Sequence, residues 1–184
     1  SGLAPWRISQ LGVGRLFQDV RVFDRLTVRD NISVAFKGQK GENAIMSIIK
    51  RREVGREEKA LRGRVEALLE SVGLAGREDE LAVNLSYGQQ KLLALARLVA
   101  ADMDVLLLDE PTAGVNPRMV DKILELVRKV VGEGKTVIII EHNMNVVREH
   151  VDFAFFMNEG RVALSGEPNA VLNTPQVKTA YLGM

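Results

Sequence analysis

Cysteine is absent from the 184 residues, so neither a disulfide nor a thiolate-bound metal belongs to the chemistry. Histidine occurs twice, at His142 and His150, and two imidazoles eight residues apart offer no zinc-ligand cluster. No apolar run approaches the roughly 18 residues that a membrane-spanning helix needs. Charge of neither sign dominates. The formal net charge is +1, which gives no electrostatic case for a nucleic-acid partner. Internal repeats, low-complexity segments and a signal-peptide pattern are also missing. What is present, 46% hydrophobic and 27% charged, fits one ordinary globular domain with a real core.

The most informative stretch is Leu85-Ser86-Tyr87-Gly88-Gln89-Gln90-Lys91. It opens a segment, Leu92 to Ala101, that is apolar almost all round and reads as a buried helix. Ser86 sits at the N-cap, and Gln89 three residues later completes a capping box. Gly88 costs helix propensity but leaves the backbone bare for close approach by a ligand. Free N–H groups, the positive end of the helix dipole and the Ser86 hydroxyl together suit an anion. Taken alone, an ordinary capped helix is the commoner source of this pattern.

The next stretch shifts that balance. Val105-Leu106-Leu107-Leu108 reads as a strand buried on both faces, and it runs directly into Asp109-Glu110-Pro111-Thr112. Two adjacent carboxylates at the C-terminal end of such a strand lie where open α/β sheets bind ligands. They suit a Mg²⁺–nucleotide site, one carboxylate near the metal and the other near a water. Further along, Thr136 to Ile140 reads as a second doubly buried strand, followed by Glu141-His142. Alternating strands and helices after Asp102 predict a parallel sheet, hence an α/β fold.

In order, these motifs resemble the ATP-binding subunits of ABC transporters. Leu85 to Gln89 is similar to the family signature, with Tyr87 where Gly is commoner. Val105 to Glu110 resembles the Walker B strand, Ala113-Gly114-Val115-Asn116 the D-loop, His142 the switch histidine, and Arg15 to Val20 the Q-loop. The wording around Gln18, Ser86 and Asn116 is most similar to the branched-chain amino acid importer branch. The resemblance implies a P-loop NTPase-like parallel sheet core with an inserted helical subdomain. Residues 1–26 would be the Q-loop segment of the core and 27–101 the helical signature subdomain. Residues 102–184 would hold the Walker B, D-loop and H-loop core with a terminal hairpin and helices.

The resemblance also implies ATP and Mg²⁺, hydrolysed between two such subunits to drive transport through transmembrane permease subunits. The location would be peripheral, on the cytoplasmic face of the inner (plasma) membrane. Glu110 would be the general base, Asp109 a metal ligand, Gln18 a contact to metal and water, and His142 a γ-phosphate contact. Ser86, Tyr87, Gly88 and Gln89 would meet the ATP held by the partner, and Asn116 would approach it from the D-loop. Two other readings stay open: a non-hydrolysing partner that lends its signature to a complete ATPase, and a soluble ABC protein outside transport.

The family's phosphate-cradling loop, G-x-x-x-x-G-K-[ST], is expected several dozen residues before Gln18, and this chain begins too late to contain it. Gly134-Lys135-Thr136 is a decoy: Lys129 stands where the first glycine should be, and a helix precedes where a strand is needed. Gly132-Glu133-Gly134 reads instead as a helix C-terminal turn. These 184 residues alone are expected to lack ATPase activity. The resemblance places the strand of the absent loop beside Val105 to Leu108, leaving that strand and Val137 to Ile140 short of a neighbour.

The remaining segments follow periodicity. Ser1 to Gln10 should hold a short helical turn, and Leu11 to Phe17 a strand. Thr27 should cap a helix to about Phe36, and a second helix should cover Asn43 to Arg52. Glu57 to Val72 is strongly amphipathic, with Leu61, Val65, Leu68, Leu69 and Val72 on one face. Asn116-Pro117 should open another helix, and Asn158-Glu159-Gly160 a hairpin turn.

Overall fold

A computed structural model describes residues 2–37 and 51–182, with backbone alone for 51–55 and 181–182. The expected helix Asn43 to Arg52 falls outside the described residues, apart from the backbone of Arg51 and Arg52. The chain divides into two compact units, 1–140 and 141–184.

The first unit begins with helix α1 (Pro5–Gln10) and strand β1 (Val13–Leu16). Helix α2 (Val28–Ser33) is capped as expected, the Asp30 N–H donating to Thr27 Oγ1 at 3.0 Å, but it ends three residues before Phe36. Helix α3 (Arg51–Ser71) buries Val65, Leu68 and Leu69 on its apolar face. Helix α4 (Tyr87–Ala100), strand β2 (Val105–Asp109), helix α5 (Pro117–Gly132) and strand β3 (Thr136–Ile140) complete the unit. The stripe Ile123, Leu124, Val127 and Val130 of α5 is buried, as its spacing requires. The decoy resolves as read. Gly134 has φ +86°, and the N–H groups of Gly134 and Lys135 donate back to Val131 and Val130, closing α5 in a Schellman turn.

The sheet of this unit is parallel, in the order β1-β2-β3, with Val13 opposite Val105 and Leu108 opposite Ile139. This corrects one expectation. Both edges of β2 are hydrogen-bonded, one to β1 and the other to β3, so no further strand can lie beside Val105 to Leu108. Among the described residues, β1 and β3 each have a single paired edge, so of the two strands expected to be short of a neighbour only β3 is one.

A second correction concerns burial. On β2, Leu106 and Leu108 are buried while Val105, Leu107 and Asp109 are half-buried. On β3, Val137 and Ile139 pack on the core, whereas Ile138 and Ile140 are 54% and 60% exposed. Neither strand is buried on both faces, because the helices of this unit cover one side of the sheet. Core packing of α4 and α5 secures that side, at about 1.5–3 kcal/mol per fully buried aliphatic side chain.

The second unit holds helix α6 (Met144–His150), strands β4 (Ala154–Asn158) and β5 (Arg161–Gly166), and helices α7 (Pro168–Leu172) and α8 (Pro175–Leu182). The strands form an antiparallel hairpin across Glu159-Gly160, whose φ values of +48° and +75° make it a two-residue primed turn. Its core is small: Ala154, Phe156, Val171 and Val177. No helix among the described residues is long and apolar enough to cross a membrane.

Candidate functional site

The first unit brings three expected residues together where the strands end. Gln18 lies two residues past β1, and its Nε2 donates to Glu110 Oε2 at 3.1 Å. Asp109 closes β2, and Arg15 Nη2 donates to its Oδ2 at 2.8 Å. Parallel pairing explains the gathering. Leu16 and Leu108 are in register, so the chain leaves β1 and β2 at the same level. The Asp109 side chain is 25% exposed and that of Arg15 50%, so solvent screens this pair, which is worth at most about 1 kcal/mol.

The backbone at Glu110 is unusual. Its φ is +46°, left-handed for a residue with a Cβ. Such a conformation costs on the order of 1–3 kcal/mol and persists only where its surroundings over-determine it. Here the Glu110 N–H continues the sheet, donating to Ile140 O at 2.9 Å. The Glu110 carbonyl accepts from the Ala113 N–H at 3.2 Å and from Lys91 Nζ at 2.7 Å. Lys91 Nζ also donates to Ala113 O at 2.8 Å.

Lys91 is 1% exposed. Burying an ammonium costs several kcal/mol, and these two short charge-assisted bonds offset that cost. Sequence reasoning passed over both Lys91 and Arg15. The signal for Lys91 was its place in a helix segment whose next five residues, Leu92 to Ala96, are all apolar. That pattern implies burial, and a buried lysine needs acceptors.

At the other end of the site, the capping box forms as read. The Gln89 N–H donates to Ser86 Oγ at 3.4 Å, and the Ser86 N–H donates to Gln89 Oε1 at 2.9 Å. Tyr87, half exposed, donates from its hydroxyl to Gln18 O at 3.3 Å. Gly88 is buried, and a Cβ there would run into the sulfur of Met119 on α5, so its bareness serves the packing of α4 on α5. Asn116 caps α5, accepting from the Met119 N–H at 3.1 Å.

The segment after Gln18 is held from two sides. Buried Asn31 accepts from the Phe23 N–H at 2.9 Å and donates to the Phe23, Thr27 and Leu26 carbonyls. Arg97 of α4 donates to Arg21 O at 2.8 Å, and its guanidinium lies 4.3 Å from the Phe23 ring centroid. Burial holds the Arg97 pKa below its ordinary value. Val20 and Val22 pack on the core, and Phe23 stays 49% exposed, so the apolar side chains after Gln18 divide between interior and surface.

His142 belongs to the second unit, two residues past β3, on an exposed connection. Next to it Asn143 caps α6, its Oδ1 accepting from the Asn145 N–H at 3.1 Å. Among the described residues no group of three or more His, Cys, Asp or Glu gathers as a metal cage. Mg²⁺ carried by a nucleotide needs only one or two carboxylates beside the phosphates, and the hard oxygens of Asp109 and Glu110 match that demand.

The profile of the ABC transporter family matches residues 4–113. The high-affinity branched-chain amino acid transport ATP-binding protein LivG of Escherichia coli K12 is 34% identical over 183 residues, covering 99% of this chain and 72% of LivG. BraF of Pseudomonas aeruginosa, which has the same description, gives the same figures. The glutamate transport ATP-binding protein GluA of Corynebacterium glutamicum is 32% identical, over 99% of this chain and 69% of GluA. Two solved structures superpose over 100% of this chain with a TM-score of 0.76. One is an ATP-binding cassette of an ABC transporter in its ADP conformation, at 28% identity and 73% of its length. The other is a nucleotide-free cassette, at 26% identity and 74%.

Proposed function

Because this chain belongs to the ATP-binding subunits of ABC transporters, we propose that it drives an importer of branched-chain or related amino acids by hydrolysing ATP in a nucleotide-sandwich dimer. The observation that carries this reading is the hydrogen bond from Gln18 to Glu110 at the C-terminal end of the sheet, beside Asp109. In it Glu110 takes the proton of the attacking water, and Gln18 fixes the direction of its carboxylate. Asp109 offers a hard oxygen to the cation. Bound ATP supplies the phosphoanhydride to be cleaved, and its Mg²⁺ neutralises charge on the phosphates. Ser86, Tyr87, Gly88 and Gln89 present the N-terminus of α4, a 14-residue helix, to the nucleotide of the facing subunit. Asn116 approaches that nucleotide from the D-loop, and His142 has the role of the family's switch histidine, a γ-phosphate contact. The permease subunits at the membrane are the other protein partner, beside the facing ATPase subunit.

The 184 residues hold no G-x-x-x-x-G-K-[ST] match, so the lysine that grips the phosphates is not among them. Hydrolysis therefore requires these residues to work with such a loop. The test is Glu110→Gln in the complete protein, run on gel filtration with ATP and Mg²⁺. Binding survives and water activation is lost, so an ATP-dependent dimer accumulates. A variant that binds ATP and stays monomeric contradicts the reading.

A further inference from the structure

We propose that Lys91 is a positioning residue for Glu110, locking the signature end of α4 to the turn that carries the base; this rests on the reading of Glu110 above. The direction of the Glu110 carboxylate follows from its left-handed backbone, φ +46°. A single ammonium closes the 110–113 turn from inside, donating to Glu110 O at 2.7 Å and to Ala113 O at 2.8 Å. That turn joins the strand bearing Asp109 to the loop ending at Asn116.

Lys91 lies five residues after Ser86, and one turn before it on α4 stands Tyr87. Tyr87 donates to Gln18 O at 3.3 Å, and its ring lies against Gly114. Lys91 Nζ is 5.7 Å from the centroid of that ring. Two side chains of one helix end thus grip the Gln18 segment and the Glu110 turn together. A shift of the signature on meeting the facing nucleotide is transmitted to the base of the same subunit. Acceptors of this kind select a compact donor that reaches two carbonyls at once, which a buried aliphatic chain ending in an ammonium provides.

The test uses the complete protein with ATP and Mg²⁺ and the variants Lys91→Met and Lys91→Arg. Lys91→Met keeps the stem and removes the donors. It should lower kcat by at least about tenfold with KM for ATP within about threefold, and Lys91→Arg should recover part of the loss. Amide hydrogen exchange of a peptide spanning 109–114 should quicken by at least about fivefold in Lys91→Met, with 92–100 unchanged. A wild-type kcat in Lys91→Met overturns the proposal, and so does a lower kcat with unaltered exchange at 109–114. If the wild-type protein itself does not hydrolyse ATP, the functional reading fails, and the exchange arm alone decides whether Lys91 pins the turn. Should Lys91→Met not fold by circular dichroism, Lys91→Gln, too short to reach both carbonyls, takes its place under the same criteria.

Discussion

Two glutamates share a left-handed backbone and differ in everything around it. Glu110 and Glu159 have φ values of +46° and +48°. Glu159 occupies the tip of the β4–β5 hairpin beside Gly160, where a two-residue turn that matches strand twist demands positive φ at both positions. Its conformation is dictated by local turn geometry, and asparagine or glycine would meet that demand with less strain. Glu110 stands at the end of a central parallel strand. It is held by Ile140, Ala113 and a lysine reaching across from another helix. Long-range structure imposes its conformation, and the carboxylate it carries faces Gln18. Equal strain therefore marks a tight turn in one place and a candidate catalytic position in the other. The arrangement of partners distinguishes them.

The same substitution at both positions separates the two causes. Glu110→Asn tolerates left-handed φ but withdraws the carboxylate, so hydrolysis by the complete protein should fall by about 10²–10⁴-fold while the melting temperature holds or rises. A steady-state ATPase assay paired with a thermal melt reads both. Next in size is Gln18→Ala, which leaves Glu110 in place but removes the hydrogen bond from Gln18 to its carboxylate. A loss of up to about 10²-fold in kcat with folding intact is expected. The smallest effect belongs to Glu159→Asn. It converts the hairpin tip to Asn-Gly and should stabilise by about 0.5–1 kcal/mol, a rise of about 1–4 °C for a chain this long, with ATPase rate unchanged. A drop in melting temperature there would show that the Glu159 side chain makes contacts that matter more than the turn.

Much of the molecule was legible in the sequence because it is governed by local chemistry. The capping box at Ser86 and Gln89 forms as its spacing demands, and Asn116-Pro117 opens α5. The Gly134 turn disposes of the false phosphate loop. The glutamate–glycine hairpin and the parallel β2–β3 pairing also follow from pattern. Three features did not. The runs at 105–108 and 137–140 are apolar throughout, but an apolar run does not say how many faces neighbouring elements cover, and Ile138 and Ile140 are exposed. Strand order depends on pairing between distant segments, and it placed β1 and β3 on the two edges of β2. Lys91 finds its acceptors 19 and 22 residues further along the chain, and no window centred on the signature contains that information. Gly88 illustrates the same limit, since its neighbour Met119 belongs to a different helix.

The central claim is that the sheet end presents Glu110, oriented by Gln18, as the group that activates water. Single-turnover release of phosphate by the complete protein with saturating ATP and Mg²⁺ tests it most directly, comparing wild type with Glu110→Gln. The amide keeps the size and accepts a similar hydrogen bond but cannot take a proton. The account predicts a rate lower by about 10²–10⁴-fold with ATP affinity within a few-fold of wild type. A Glu110→Gln protein that releases phosphate within threefold of the wild-type rate would contradict it.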